Sequence, residues 1–455
     1  MNAHRNISIL ALAAALGWTV PAQAQDAQQD ALRAEIAAMR EQMAAMAQQI
    51  DRLESRLEVT DTKADAAMIA GETAQADVAR VAAAPATPKI PQLEKSGGWS
   101  FEPFGRLMID AGSVNAPGAI GDIGLGFGNE VRRARIGVKG DLSGGFDYKM
   151  ELEFADNRAE ITDAVLGYDA GDVSLALGQH NNFQGLEELT SSRFISFMER
   201  AAFTDAFGFQ RRVGLSAQYG KGAVLAQGGI FTDNIDNLDA SNNSWGGDAR
   251  VVFAPRMGGT QLHLGGSVHY RDFNDAQGTV RYRQRPQVHL TDTRFISTGN
   301  ISGDSEVGYG LEMMAINGPF HATGETFWQQ VNRPGLPDPT FFGGYAEVGY
   351  FLTGGDSRTY KGGKFDRIKP KSPVGKGGFG AVQINARYDY LDLNDTGLIG
   401  GTQNSYGVSL VWTPTDYTRF MANYWRNQYR DAVIDAGTDR DYGVDSFGVR
   451  AQFDF

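Results

Sequence analysis

Residues 146–154 read FDYKMELEF, and alternate positions in that stretch obey opposite rules. Phe146, Tyr148, Met150, Leu152 and Phe154 are apolar; Asp147, Lys149, Glu151 and Glu153 are charged. An extended chain places neighbouring side chains on opposite faces, so this is a strand with one greasy face and one ionic face. A single such strand fits a soluble sandwich as well as a membrane barrel. What constrains the fold is persistence. The period-two signal recurs from Trp99 to Phe455 in sixteen stretches with no helical interval, from Leu107/Ile109/Ala111 through Val213/Leu215/Ala217/Tyr219 to Phe447/Val449/Ala451/Phe453.

The connections between these stretches alternate in kind. Short Gly-rich turns such as GDLSGG, YGKG and NGP lie on one side. Long polar segments at 112–129, 181–211, 232–246, 272–306 and 428–443 lie on the other. Segment 354–378 breaks the rule, being long on the short-turn side. Trp99, Tyr168, Tyr219, Tyr270, Tyr350, Trp412 and Phe455 fall near strand ends, where interfacial aromatic girdles belong. These features predict an all-β chain, a transmembrane antiparallel β-barrel of 16 strands with lipid outside and a water-filled lumen. On this reading Leu152→Arg costs about 2–4 kcal/mol as a lipid-facing charge, whereas Glu151→Arg is tolerated in the wet interior.

Composition agrees. Glycine is abundant, with 57 in 455 residues, mean hydropathy is low, and after the N-terminus no uncharged apolar run is long enough for a spanning helix. Cysteine is absent, so there is no disulfide framework, and the net charge of −12 disfavours nucleic acid as a partner. Arg5 precedes the apolar run ISILALAAALGWTV, with Ala22 and Ala24 at small-residue cleavage positions, so residues 1–24 read as an export signal. In 25–60 a seam of Leu32, Ile36, Met39, Met43, Met46, Ile50, Leu53 and Leu57 alternates spacings of four and three. That pattern predicts a self-associating α-helical coiled coil in the periplasm; an amphipathic helix packing on its own protein is the plainer alternative. Residues 61–97 form an Ala/Pro-rich linker, and 98–455 the barrel.

No Ser/His/Asp set or paired carboxylates suggest an enzyme, and no cofactor is expected. His263 and His269 share an inward face but stand six residues apart, too far to chelate one metal, and read as lumen-exposed. The Gly-rich GDIGLGFG precedes no helix that could hold a phosphate, and GKGGFG lacks the hydroxyl residue of a phosphate loop. The Asp/Asn-rich DNIDNLDASNN lacks calcium-loop spacing.

Charges on the inward strand positions nearly cancel, eleven basic against twelve acidic, so the wall predicts no ion preference. The asymmetry lies between strands. VRYRQR puts Arg281, Arg283 and Arg285 on one face if extended, at intervals of roughly 6–7 Å. Segment 354–378 carries seven Lys/Arg, among them Lys361, Lys364, Arg367 and Lys369, against two Asp. Either segment would focus a positive field if folded inward, or would be a solvated surface loop if not.

From about Trp99 onward the chain resembles the phosphate-selective porin O/P family of outer-membrane anion porins. The resemblance rests on VRRARIGVKG (131–140), SSRFISFMERA (191–201) followed by RRVGLSAQYG, GYFLTGGDSRTYKGGKFDRIKP (349–370), ARYDYLDLND (386–395) and the C-terminal strand. It implies a homotrimer in the outer membrane of a Gram-negative bacterium, conducting phosphate or other small anions. The third and fifth loops (181–211, 272–306) and the long turn (354–378) would fold inward to constrict it. Arginines and lysines would guide the anion: Arg133, Arg135, Lys139, Arg281, Arg283, Arg285, Lys361, Lys364, Arg367 and Lys369. The resemblance pairs Arg132 with Arg133, but strand parity turns Arg132 outward. Phe455 would be read by the barrel assembly machinery. His289 stands where a longer arginine ladder would continue, and the wall holds many carboxylates. Both departures point toward a general anion or small-solute porin, so a non-selective or sugar-conducting channel stays open. A mainly structural protein tethered through its coiled coil is the third reading.

Overall fold

The computed structural model describes residues 98–121, 123–155, 158–238, 242–274 and 278–455. The signal peptide, coiled coil and linker inferred from sequence lie outside them. Sixteen strands follow in order: β1 Glu102–Asn115, β2 Gly126–Asp141, β3 Phe146–Glu153, β4 Glu160–Asp169, β5 Val173–Asn181, β6 Arg211–Lys221, β7 Val224–Phe231 and β8 Trp245–Phe253. Then come β9 Thr260–Asp272, β10 Ser305–Asn317, β11 Phe320–Asn332, β12 Thr340–Phe351, β13 Ala381–Asp395, β14 Leu398–Thr415, β15 Thr418–Arg430 and β16 Gly443–Asp454. Each pairs antiparallel with the next, and β1 pairs with β16 from Arg106 opposite Asp454 to Asn115 opposite Asp445. The cylinder is therefore closed, and no unpaired sheet edge meets hydrocarbon.

The alternation read from the sequence is realised on the wall. Phe146, Met150 and Phe154 are 43–46% exposed on the outside, while Glu151 is fully buried inside. Phe146 packs tilted against Tyr168 with ring centroids 4.9 Å apart, and Phe320 against Tyr350 at 4.5 Å, forming part of the aromatic band on the short-turn side. Not every loop on the far side is long: β13 and β14 are joined by Thr396 and Gly397 alone, both at positive φ (41° and 81°), the geometry tight hairpins favour.

The lumen differs from the open water column expected. Phe203, Phe207, Tyr282, Phe327, Phe341 and Tyr345 pack into one dry cluster inside the barrel, joined by Phe295, Tyr429 and Tyr442. These come from the loops after β5, β9 and β15 and from inward positions of β11, β12 and β15. A cylinder of sixteen strands has room for such a core, and burying aromatics there stabilises by about 25 cal/mol for each Å² of apolar surface taken out of water. The two wall histidines also differ from expectation. His263 and His269 are buried, bonded to Tyr360 (2.6 Å) and Asp248 (2.8 Å) rather than open to the lumen.

Candidate functional site

Loop 3, residues 182–210, leaves the rim and lies inside the barrel. It carries two short helices, α1 Leu186–Leu189 and α2 Ala202–Ala206. The opposite wall offers a matched row of partners. Glu325 accepts from the backbone N–H groups of Leu186 and Glu187 at 2.7 and 2.8 Å. Arg387 donates to Glu187 and Glu347. Arg419 donates to the carbonyls of Arg193 and Ile195 at 2.9 and 2.6 Å. Arg450 donates to both oxygens of Asp110, to the Met198 carbonyl and to Glu199. Phe197 packs on Trp425 with centroids 4.8 Å apart, and that indole needs a glycine opposite: a Cβ at Gly407 would stand 2.4 Å from its ring. Three wall arginines are thus consumed in fixing the loop.

The long turn 352–380 enters from the other end. Its hairpin pairs Thr359–Lys361 with Lys364–Asp366. Phe365 is buried with Leu186, Met314 and Ile316, and the Gly363 carbonyl accepts from Arg250 at 2.9 Å. In loop 5, residues 273–304, the Tyr282 hydroxyl donates to Glu306 at 2.6 Å. Tyr282 is therefore turned to the wall while Arg281 and Arg283, on either side of it, are exposed.

The open path is eccentric, on the β1–β8 side. An outer chamber of about 270 Å³ lies between loops 3 and 5, and an inner chamber of about 600 Å³ beside the turn hairpin. Arg133, Ser192, Arg200 and Arg211 line both chambers and mark the neck between them. At the neck, the Arg133 guanidinium has Glu153 at 3.5 Å, but that carboxylate sits 2.5 Å from Arg135.

The residues picked from sequence divide into three groups. Arg133, Arg135, Lys361 and Lys364 line the inner chamber, and Arg285 lines the outer one. Arg135 is locked between Glu151 and Glu153 at 3.4 and 2.5 Å, and Arg285 is tied to Asp292 at 2.8 Å and the Thr291 carbonyl. Arg281 and Arg283 are exposed on loop 5. Lys139, Arg367 and Lys369 line neither chamber. Lys139 pairs with Glu102 at 3.2 Å near the end of its strand, Arg367 is held by Asp454 at 2.5 Å and by the rings of Phe194 and Tyr417, and Lys369 is exposed.

Parity failed at Arg132. The β1–β2 register slips between Met108 and Ile109, which face Arg133 and Val131, so Arg132 is an extra, bulged residue. It turns inward and makes a two-pronged bond to Glu199 of loop 3, both distances 2.9 Å. Arg200 and Arg211 at the neck were also missed: Arg200 lies in loop 3, where alternation carries no signal, and Arg211 is the first residue of β6, where the alternation has only begun. His289 bonds Glu130 at 2.9 Å and lines the outer chamber.

The wall's near-zero balance takes the form of pairs. Arg106 meets Glu151 at 2.6 Å, Lys149 meets Asp163 at 2.5 Å, and Arg250 meets Glu312 at 2.6 Å. By contrast Arg281, Arg283, Lys361 and Lys364 form no ion pair among the described residues. Partial burial, then Arg281 and Arg285, lower the pKa of Arg283, a sign that the three charges crowd one another. Burial, then Lys149 and Arg250, lower that of Lys364. Burial raises the pKa of Glu188 despite Arg200 nearby; burial pushes Glu199 the same way, but Arg132 and then Arg450 together outweigh it and hold that carboxyl well below its usual range. Among the described residues no group of three His, Asp or Glu could hold a metal.

Residues 101–455 match the family described as phosphate-selective porin O and P. An uncharacterized protein of Caulobacter vibrioides is 44% identical over 472 residues, covering 99% of this chain and 95% of that one. Porin O of Pseudomonas aeruginosa is 26% identical over 408 residues, 78% of this chain and 89% of its own. In fold, the trimer form of in-vitro folded OmpT, an outer-membrane protein of Vibrio cholerae, aligns with TM-score 0.50 and 11% identity, over 79% of this chain and 100% of that one. The chain is an outer-membrane channel, not an enzyme, and belongs to the phosphate-selective porin O and P family.

Proposed function

We propose that the protein is a passive, anion-preferring channel for phosphate or related small oxyanions. The observation that carries this is a set of cations without ion pairs among the described residues, Arg281 and Arg283 exposed on loop 5 and Lys361 and Lys364 lining the inner chamber, with Arg133 at the neck, where it shares Glu153 with Arg135. Guanidinium forks suit oxyanion geometry and lysine acts as a point charge, so a solute passes from fork to fork to ammonium. Because the wall charges neutralise one another, these few groups set the sign of the field. A homotrimer is the assembly we favour, on the strength of the heptad seam in 25–60 and the trimer form of OmpT. The coiled coil would then stand in the periplasm.

Carboxylates facing the outer chamber, Glu160, Asp205 and Asp236, favour a second reading, a channel with little ion preference. Reversal potential in a salt gradient across a planar bilayer separates the two. Anion preference should be present in the wild type and fall when Arg281, Arg283 and Arg285 are replaced together by glutamine. A wild-type potential of zero, or a triple variant with unchanged selectivity, would remove the role given to loop 5.

A further inference from the structure

The outer chamber is built for more than a bare ion. Its volume of about 270 Å³ approaches the lower end of small-molecule sites, roughly 300–1,000 Å³. An inorganic phosphate has the bulk of on the order of two to three waters, roughly 60–90 Å³ at about 30 Å³ each. Its lining is also chemically mixed. Arg133 and Arg285 supply donors, but Glu160 and Asp205 present acceptors to the same space.

Gln284 sharpens the point. It lines this chamber on loop 5 and is 2% exposed, yet its Oε1 has no hydrogen-bond partner. A buried carbonyl left without a donor costs about 1–3 kcal/mol, and a nearly acceptor-only oxyanion cannot relieve it. An alcohol hydroxyl can. Phe209 adds an apolar surface on the chamber wall, which suits C–H groups and offers nothing to an inorganic ion.

We propose that the outer chamber recognises a hydroxyl-bearing organic anion of the sugar-phosphate class, with its phosphate on Arg133 and Arg285 and its hydroxyls on Gln284, Asp205 and Glu160. This rests on the anion-preferring reading above and narrows its substrate class.

The test is block of potassium chloride current through the full-length protein in planar bilayers, with glucose 6-phosphate and inorganic phosphate titrated separately. Glucose 6-phosphate should half-block at about one-tenth the phosphate concentration, the worth of about 1.4 kcal/mol. Gln284→Ala and, independently, Gln284→Met should bring its half-blocking concentration to that of phosphate while leaving phosphate block where it was. Heat-dependent mobility in gels confirms that each variant is a folded barrel. Phosphate blocking as well as or better than glucose 6-phosphate, or variants that move both blockers alike, overturns this inference and leaves the anion reading standing. A channel that neither compound blocks, with no anionic reversal potential, overturns both.

Discussion

Glu151→Arg and Leu152→Arg lie one residue apart on β3 and should both damage the barrel, for different reasons. Leu152 pairs with Ile136 and Ile161 on the outer face, so a guanidinium there meets hydrocarbon, at a cost of about 2–4 kcal/mol near the midplane. Alternation alone made the inward neighbour look permissive. The structure reverses that expectation. Glu151 is fully buried, 2.6 Å from Arg106, 3.4 Å from Arg135 and 3.9 Å from Lys149. Removing one partner of a buried pair costs about 3–5 kcal/mol, so Glu151→Gln should already match Leu152→Arg. Glu151→Arg should exceed it, since a fourth cation joins three. The two mechanisms separate in a charge swap: Arg106→Glu should recover part of the loss in Glu151→Arg and none in Leu152→Arg. Urea unfolding in lipid vesicles, followed by tryptophan fluorescence and by gel mobility, reads all of these. A Glu151→Arg protein that unfolds at the wild-type urea concentration would refute the claim that wall charges are each other's partners, as would a swap that recovers nothing.

Anion preference should fall as pH rises through the alkaline range, starting below the ordinary lysine titration because the Lys364 pKa is lowered; Lys364→Met should flatten that limb in reversal-potential measurements. On the acid side the raised Glu188 pKa means its negative charge is lost earlier than that of an ordinary glutamate. Anion preference should therefore begin to rise at a higher pH than ordinary carboxylates would give, and Glu188→Gln should move that onset to lower pH. Glu199→Gln weakens the grip of Arg132 and Arg450 on loop 3, at about 1.5–3 kcal/mol for lost charged hydrogen bonds, and should show as larger open-channel current noise. Deleting residues 26–60 should shift the purified protein from trimer toward monomer in light scattering; an unchanged mass would take the coiled coil out of the assembly.

The barrel was legible because lipid enforces a strict rule. Every strand must show apolar groups outward, and a period of two survives any loop sequence between strands. The site was legible only in part. VRYRQR and the basic turn announced themselves by charge, but whether they enter the lumen depends on what they pack against. A signal for that packing was present: Phe327, Phe341, Tyr345 and Trp425 occupy inward positions, where an empty water column would not place large aromatics. They required loop 3 as a cover. Arg132 was beyond reach, since a bulge shifts parity by one residue and nothing in VRRARIGVKG marks where the slip falls. Lys139 and Arg367 line neither chamber, and each sits within reach of a carboxylate supplied by another strand, a partner that charge alone does not reveal.

The off-centre filling of the cylinder has a mechanical and an evolutionary corollary. One half of the circumference is a solid keel in which aromatic rings and clamped arginines hold the orifice in a fixed outline. The other half carries the traffic. The orifice should therefore keep one size at every applied voltage, and diversification among relatives should gather on the open flank, where a changed side chain alters what passes without loosening the hull.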